Sequence, residues 1–164
     1  MNRLPHIVFS SLTALLCLAS CSDDSCSDNG SSLPLAALYM NGSQQTIPGL
    51  TIMGVGAKGD SLLADSASLR EIYLPLQAGC SSTSYAVSRY VTDGTDGTWL
   101  DDTLTIDYKA VEFFHSAECG AMFNFEVKGV DYTCRAIDSV EILTPTITNS
   151  RMPALRIHFT DFQQ

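Results

Sequence analysis

Positive charge is scarce in this chain of 164 residues: nine Lys and Arg stand against 18 Asp and Glu, for a formal net charge of −9. Phosphate neutralisation needs clustered cations, so nucleic acid is excluded as a partner. Attachment driven by anionic lipid head groups is excluded on the same ground. Charged residues make up 16% and hydrophobic residues 45%, a composition that builds a core and does not stay disordered. No apolar run reaches the roughly 20 residues that a transmembrane helix requires. Catalytic signatures are missing as well: there is no G-x-S-x-G elbow, no H-E-x-x-H pair and no close C-x₂-C pair. His115 and His158 are the only histidines beyond the first 20 residues. His115 lies four residues before Cys119, a ligand spacing on a helix, but the flanking pattern is not helical. No catalytic residue, metal site or cofactor is therefore expected, and the chain reads as a non-enzyme.

What is present begins with an address. Arg3 opens a positive n-region, and Ile7 to Leu18 forms a short apolar stretch. That stretch suits an export signal and is too short to span a bilayer. Leu18-Ala19-Ser20-Cys21 follows and looks like a bacterial lipobox, whose cysteine takes a diacylglycerol thioether and becomes the mature N-terminus. Several acyl chains, at about 0.8 kcal/mol per buried CH₂, hold such a protein permanently. Ser22, Asp23 and Asp24 come next and resemble the acidic tag that sends lipoproteins of Bacteroidota to the cell surface. Residues 1–20 are thus expected to be a lipoprotein signal peptide, 21–32 a lipidated cysteine with a Ser/Asp-rich tether, and 33–164 the folded domain. The eleven tether residues from Ser22 to Ser32 reach at most about 36 Å.

Removing Cys17 with the signal and Cys21 to lipid leaves Cys26, Cys80, Cys119 and Cys134. In an oxidising compartment four thiols suggest two disulfides, with three connectivities open.

From Leu33 onward, short alternating runs are separated by Gly, Asp, Ser and Pro. Leu35–Met40, Leu50–Met53, Leu69–Leu76, Thr83–Val91, Leu104–Tyr108, Phe123–Val127, Val140–Ile147 and Leu155–Phe159 carry β-branched and aromatic residues, several with the period of two that marks a half-buried strand. The expected fold is all-β, an antiparallel sandwich or open barrel of seven to nine strands. There is room for a short helix around Ala64 to Glu71. Two Asp-Gly pairs in Asp93-Gly94-Thr95-Asp96-Gly97 signal a hairpin, and Lys128-Gly129-Val130-Asp131 is expected to turn the chain. Gly54-Val55-Gly56-Ala57-Lys58-Gly59 matches G-x-G-x-x-G, but no long helix follows it to aim amides at a pyrophosphate. It reads as a hairpin bend.

One loop could hold a ligand. Asp93, Asp96, Asp101 and Asp102 offer carboxylates of the kind Ca²⁺ prefers, without the spacing of an EF-hand. Trp99 beside them offers a ring for stacking on a sugar.

Several segments in this order resemble an uncharacterised lipoprotein family of Bacteroidota, a domain of unknown function. They are Asp23-Asp24-Ser25-Cys26, Leu50-Thr51-Ile52, Leu74-Pro75-Leu76, Leu104-Thr105-Ile106-Asp107-Tyr108, Ser116-Ala117-Glu118-Cys119-Gly120, Ile137-Asp138-Ser139-Val140 and Leu155-Arg156-Ile157-His158-Phe159. The resemblance implies a Cys26–Cys119 bridge and leaves Cys80 for Cys134. It implies no activity and no catalytic residue.

The reading that follows is a lipoprotein anchored at the outer membrane, surface-exposed or facing the periplasm, that binds or supports another envelope component. The expected partners are the membrane, through the lipid, and an outer-membrane protein. The rival readings are a surface glycan- or Ca²⁺-binding module built on Asp93–Asp102 and Trp99, and a hydrolase whose acids and histidines meet only in space.

Overall fold

Alternation places the core. Along Thr83, Tyr85, Val87 and Arg89 every second side chain is buried, while Ser84, Ala86, Ser88 and Tyr90 between them are not, as a pleated strand with one covered face requires. The computed structural model describes residues 32–56, 62–93, 95–117, 120–148 and 150–162. Cys21, Ser22, Asp23, Asp24, Cys26 and Cys119 lie outside the described residues.

Among the described residues there are eleven strands, more than the seven to nine expected: β1 (Leu35–Met40), β2 (Ser43–Gln44), β3 (Ile47–Gly54), β4 (Leu62–Leu69), β5 (Glu71–Tyr73), β6 (Ser82–Asp93), β7 (Asp96–Ser116), β8 (Gly120–Tyr132), β9 (Ile137–Ile142), β10 (Thr146–Ile147) and β11 (Pro153–Phe159). The larger sheet runs β10-β8-β7-β6-β3-β4. The smaller runs β2-β1-β11-β9, with β5 also paired to β1. Tyr85, Leu104, Ile106 and Phe125 from the first meet Leu38 and Leu155 of the second in one core. The all-β sandwich is as expected, and among the described residues there is no helix.

Several local expectations are corrected. The sandwich is not wholly antiparallel, because β1 and β11 run parallel, with Ala36 opposite Leu155 and Leu38 opposite Ile157. Ala64 to Glu71 is not helix: Ala64 to Leu69 lies in β4, Arg70 is a bend and Glu71 opens β5. Ala64 and Ala67 have the i, i+3 spacing of a helix face, but they pair with Ile52 and Leu50, so three steps on β4 match two on β3. Ser66, at φ 46°, marks the resulting bulge. Lys128-Gly129 does not turn the chain. Asp107 faces Gly129 and Tyr108 faces Val127, so Lys128 is the extra residue of a second bulge. Val140–Ile147 divides into β9 and β10, which belong to different sheets.

The turns behave as their residues dictate. Asn41 (φ 53°) and Gly42 (φ 74°) both sit in the left-handed region, closing the two-residue β1–β2 loop in the manner that Asn-Gly favours. Asp93 pairs with Asp96 across Gly94-Thr95, as the paired Asp-Gly steps suggested. The glycine-rich stretch after β3 leads into antiparallel β4, with Met53 opposite Leu62; residues 57–61 lie outside the described set.

Two crossings between the sheets are fixed by side chains of the larger one. Where the chain passes from β8 to β9, Asp102 receives the Thr133 hydroxyl (2.6 Å) and the amides of Arg135 (2.9 Å), Ala136 (2.6 Å) and Ile137 (2.8 Å). Where it passes from β5 to β6, Tyr108 Oη donates to the Gln77 carbonyl (2.8 Å) and accepts from the Gln77 amide (3.0 Å). It also lies 2.7 Å from the Thr83 hydroxyl, while Tyr85 donates to the Pro75 carbonyl at 2.5 Å. Burial, and the neighbouring Tyr108, push the Tyr85 phenol well above its ordinary range. It remains a neutral donor.

Candidate functional site

The acidic residues around the β6–β7 hairpin do not converge. Adjacent residues of a strand face opposite sides of the sheet, and here Asp101 is exposed while Asp102 is buried. Four donors occupy the lone pairs that a carboxylate offers, leaving Asp102 none for a cation. Burial pushes its carboxyl up, but the Thr133 hydroxyl and the amides of Ile137, Arg135 and Ala136 outweigh that and hold it below the ordinary carboxylate range. Asp96 is exposed at the turn, five residues from Asp101, or about 17 Å along a strand. Asp93 belongs to the ladder, but its side chain lies outside the described residues. The Ca²⁺ loop is therefore corrected: Asp102 holds the fold, and Asp96 and Asp101 stand apart. Among the described residues no group of three His, Cys, Asp or Glu is placed to hold a metal.

Trp99 is where a ligand could use it. Its ring is 47% exposed and lies 5.2 Å from that of Tyr90, itself 42% exposed, at an interplanar angle of 55°. The two are directly opposed in the β6–β7 ladder. Gly97 makes room for this pair, because a Cβ there would come 1.8 Å from the Tyr90 hydroxyl. Ser88 and Asp101 form the next pair of the ladder on the same face. The sequence marks Tyr90 only as a residue of the Thr83–Val91 strand, although the hairpin signal also gives its partner: counting back from the Asp93–Asp96 turn pairs residue 90 with 99.

On the inner side of the same hairpin, a cleft of about 300 Å³ is lined by Val91, Leu100 and Phe162 among others. Beside it, Arg89 is buried, donating to the Thr160 carbonyl (2.6 Å) and to Met40 Sδ (3.6 Å). Its guanidinium lies 5.7 Å from the Phe162 ring centre. Burial lowers the Arg89 pKa, and Asp161 opposes that shift. Arg89 ties the C-terminal segment to β6. Its signal in the sequence was a lone cation at an inward position of an alternating strand.

His115 and His158 lie in different sheets. His115 is exposed in β7, edge-on to Phe113 at 6.2 Å. His158 of β11 lies 3.3 Å from Glu141, which also pairs with Arg156 at 2.8 Å.

Cys80 and Cys134 are both exposed and free. The bridge expected between them is corrected by the register. Cys80 leads into β6, beside the Ser81 carbonyl that accepts from Tyr108; Cys134 follows Thr133, whose amide donates to Thr103. They therefore flank β7 on opposite sides, about 10 Å apart across two strand spacings and further still along the strand. A disulfide needs Cα atoms within about 7 Å.

The sequence model of a family of unknown function, DUF6452, matches residues 49–159, from within β3 to the end of β11. No curated protein matches, and neither does any solved structure.

Proposed function

We propose that this chain, which belongs to the DUF6452 family, is a non-enzymatic lipoprotein of the Bacteroidota type. It is anchored at the outer membrane through Cys21, and its sandwich binds or supports another envelope component. The observation that carries this reading is the distance between anchor and body. Ser32 is tied to β8, its amide donating to the Phe123 carbonyl (3.4 Å) and its hydroxyl to Asn124 Oδ1 (2.8 Å). Ser32 is the eleventh residue after Cys21, so the point where the sandwich begins lies within about 36 Å of Cys21. A body held that close works on neighbours in the same membrane, and an outer-membrane protein is the partner that fits. Ser22, Asp23 and Asp24 favour the cell surface over the periplasmic face.

Cys26 and Cys119 remain the proposed disulfide. In sequence Cys26 precedes Ser32 by six residues, and Cys119 precedes Phe123, the residue whose carbonyl Ser32 bonds, by four, which supports this pairing. Cross-linking in cells followed by affinity purification tests the partner. Repeated recovery of one outer-membrane protein supports the reading, and recovery of no envelope protein ends it.

A second reading, a surface glycan module, is favoured by Tyr90 and Trp99. Exposed aromatic rings beside hydrogen-bonding groups suit the apolar face and hydroxyls of a sugar. A glycan array on which wild type binds and Trp99→Ala does not would support it; a blank array for wild type would dismiss it.

A further inference from the structure

We propose that the end of the sandwich where the N-terminal segment joins it seats against the lipid bilayer, with Phe114, Met152 and Leu33 entering the bilayer interface. This rests on the lipid-anchor reading above and adds to it a second, non-covalent attachment and a fixed orientation.

Met152 at 74% and Phe114 at 72% are the most exposed large hydrophobic side chains among the described residues. Scattered exposed apolar residues are ordinary on a soluble surface. These two, however, lie at one end of the molecule. Ser32 is bonded to Phe123 and Asn124, and Phe114 pairs with Ala121, two positions further toward the tip of the β7–β8 hairpin. Leu33, the next residue after Ser32, lines a cleft of about 120 Å³ together with Ile147 and Met152. Ile147 pairs with Phe125, so this cleft adjoins the docking point of Ser32 from the other side. The N-terminal segment thus reaches the body between its two most exposed apolar side chains.

The tether then supplies the occupant. It brings the lipid-bearing Cys21 within about 36 Å of Ser32, and the bilayer in which those acyl chains sit is the apolar phase nearest to Phe114 and Met152. Interfacial anchoring suits the neighbours too. Arg151 is exposed beside Met152, and long cationic side chains keep their charge in water while their stems lie along apolar surface. Glu112, exposed two residues before Phe114 on the same strand face, stays in the head-group layer and limits the depth. With a net charge of −9, the contact is apolar and does not depend on anionic lipid. Trp99 lies fifteen residues from Phe114 along β7, about 50 Å of strand, so the Tyr90–Trp99 pair is carried away from the membrane.

The test uses the mature lipid-bearing chain in phosphatidylcholine vesicles containing a brominated lipid, which quenches tryptophan on contact. Native Trp99 reports the far end; W99F/F114W and W99F/M152W report the near end. The expected result is blue-shifted emission from positions 114 and 152, quenched at least twofold by brominated lipid, with Trp99 of the wild type unquenched. Water-like, unquenched emission from both near-end probes in a chain whose mass includes the lipid overturns the seating and leaves the anchor intact. Blue-shifted emission in detergent-free solution without vesicles, with no quenching once they are added, also overturns it, because a second copy then covers the patch. A chain that carries no lipid at Cys21 fails the anchor reading instead, and is told apart by its mass.

Discussion

Replacing Asp102 by Asn keeps the shape of the side chain and removes its charge. In the native chain one carboxylate oxygen accepts from the Ala136 and Ile137 amides and the other from Thr133 and the Arg135 amide. An amide side chain has a single acceptor oxygen, so its NH₂ group must face one of these pairs of donors. Each buried donor left unpaired costs about 1–3 kcal/mol, which gives a loss of about 2–6 kcal/mol for the pair. With a urea m-value of about 2 kcal/mol/M, the unfolding midpoint falls by about 1–3 M. Asp101→Asn, changing an exposed neighbour, should stay within about 0.5 kcal/mol of wild type. The pH dependence carries a sign. The folded-state pKa of Asp102 lies below the ordinary value, so its stabilisation is complete above the unfolded pKa of about 3.9 and is lost as pH falls through the folded value. The difference between wild type and Asp102→Asn is therefore large at pH 7 and narrows below about pH 4. A midpoint shift under about 0.3 M at pH 7 would refute the claim that this carboxylate holds the β8–β9 crossing.

Tyr108→Phe removes the hydroxyl that bonds both polar groups of the Gln77 backbone and contacts Thr83; a loss of about 2 kcal/mol in urea unfolding is expected. Gly97→Val drives a side chain into the space of the Tyr90 hydroxyl, so Trp99 emission should change as the pair separates, at a stability cost of about 1–2 kcal/mol. Maleimide labelling followed by peptide mapping should modify Cys80 and Cys134 without reduction, since both are exposed and free, and Cys26 and Cys119 only after it. Early labelling of the last two would dissolve the proposed staple.

The sheets were legible because alternation survives without context. Leu104, Ile106 and Tyr108 are buried, and Thr105 and Asp107 between them are less so, as a period of two demands. Irregularities were not legible, since a bulge borrows the spacing of another structure. Ala64 to Glu71 leaves room for a short helix until β3 supplies partners for Ala64 and Ala67. Gly129 read as a turn because nothing local reveals that the ladder resumes with Val127 opposite Tyr108. The parallel pairing of β1 with β11 joins the two ends of the domain, a contact that no local pattern encodes. At the hairpin, the stacking ring of Trp99 was visible and its partner Tyr90 was implied by the turn. The fate of Asp102 was not, because its donors lie 31 to 35 residues away and come mainly from backbone.

The claim on which the rest depends is that the sandwich is tied to the membrane through lipid on Cys21. Intact mass spectrometry of the protein purified from its native membrane tests this most directly. The account predicts a single chain beginning at Cys21 and heavier than its sequence by a diacylglycerol and an acyl group. A chain of unmodified mass, or one cut at another residue, would contradict it.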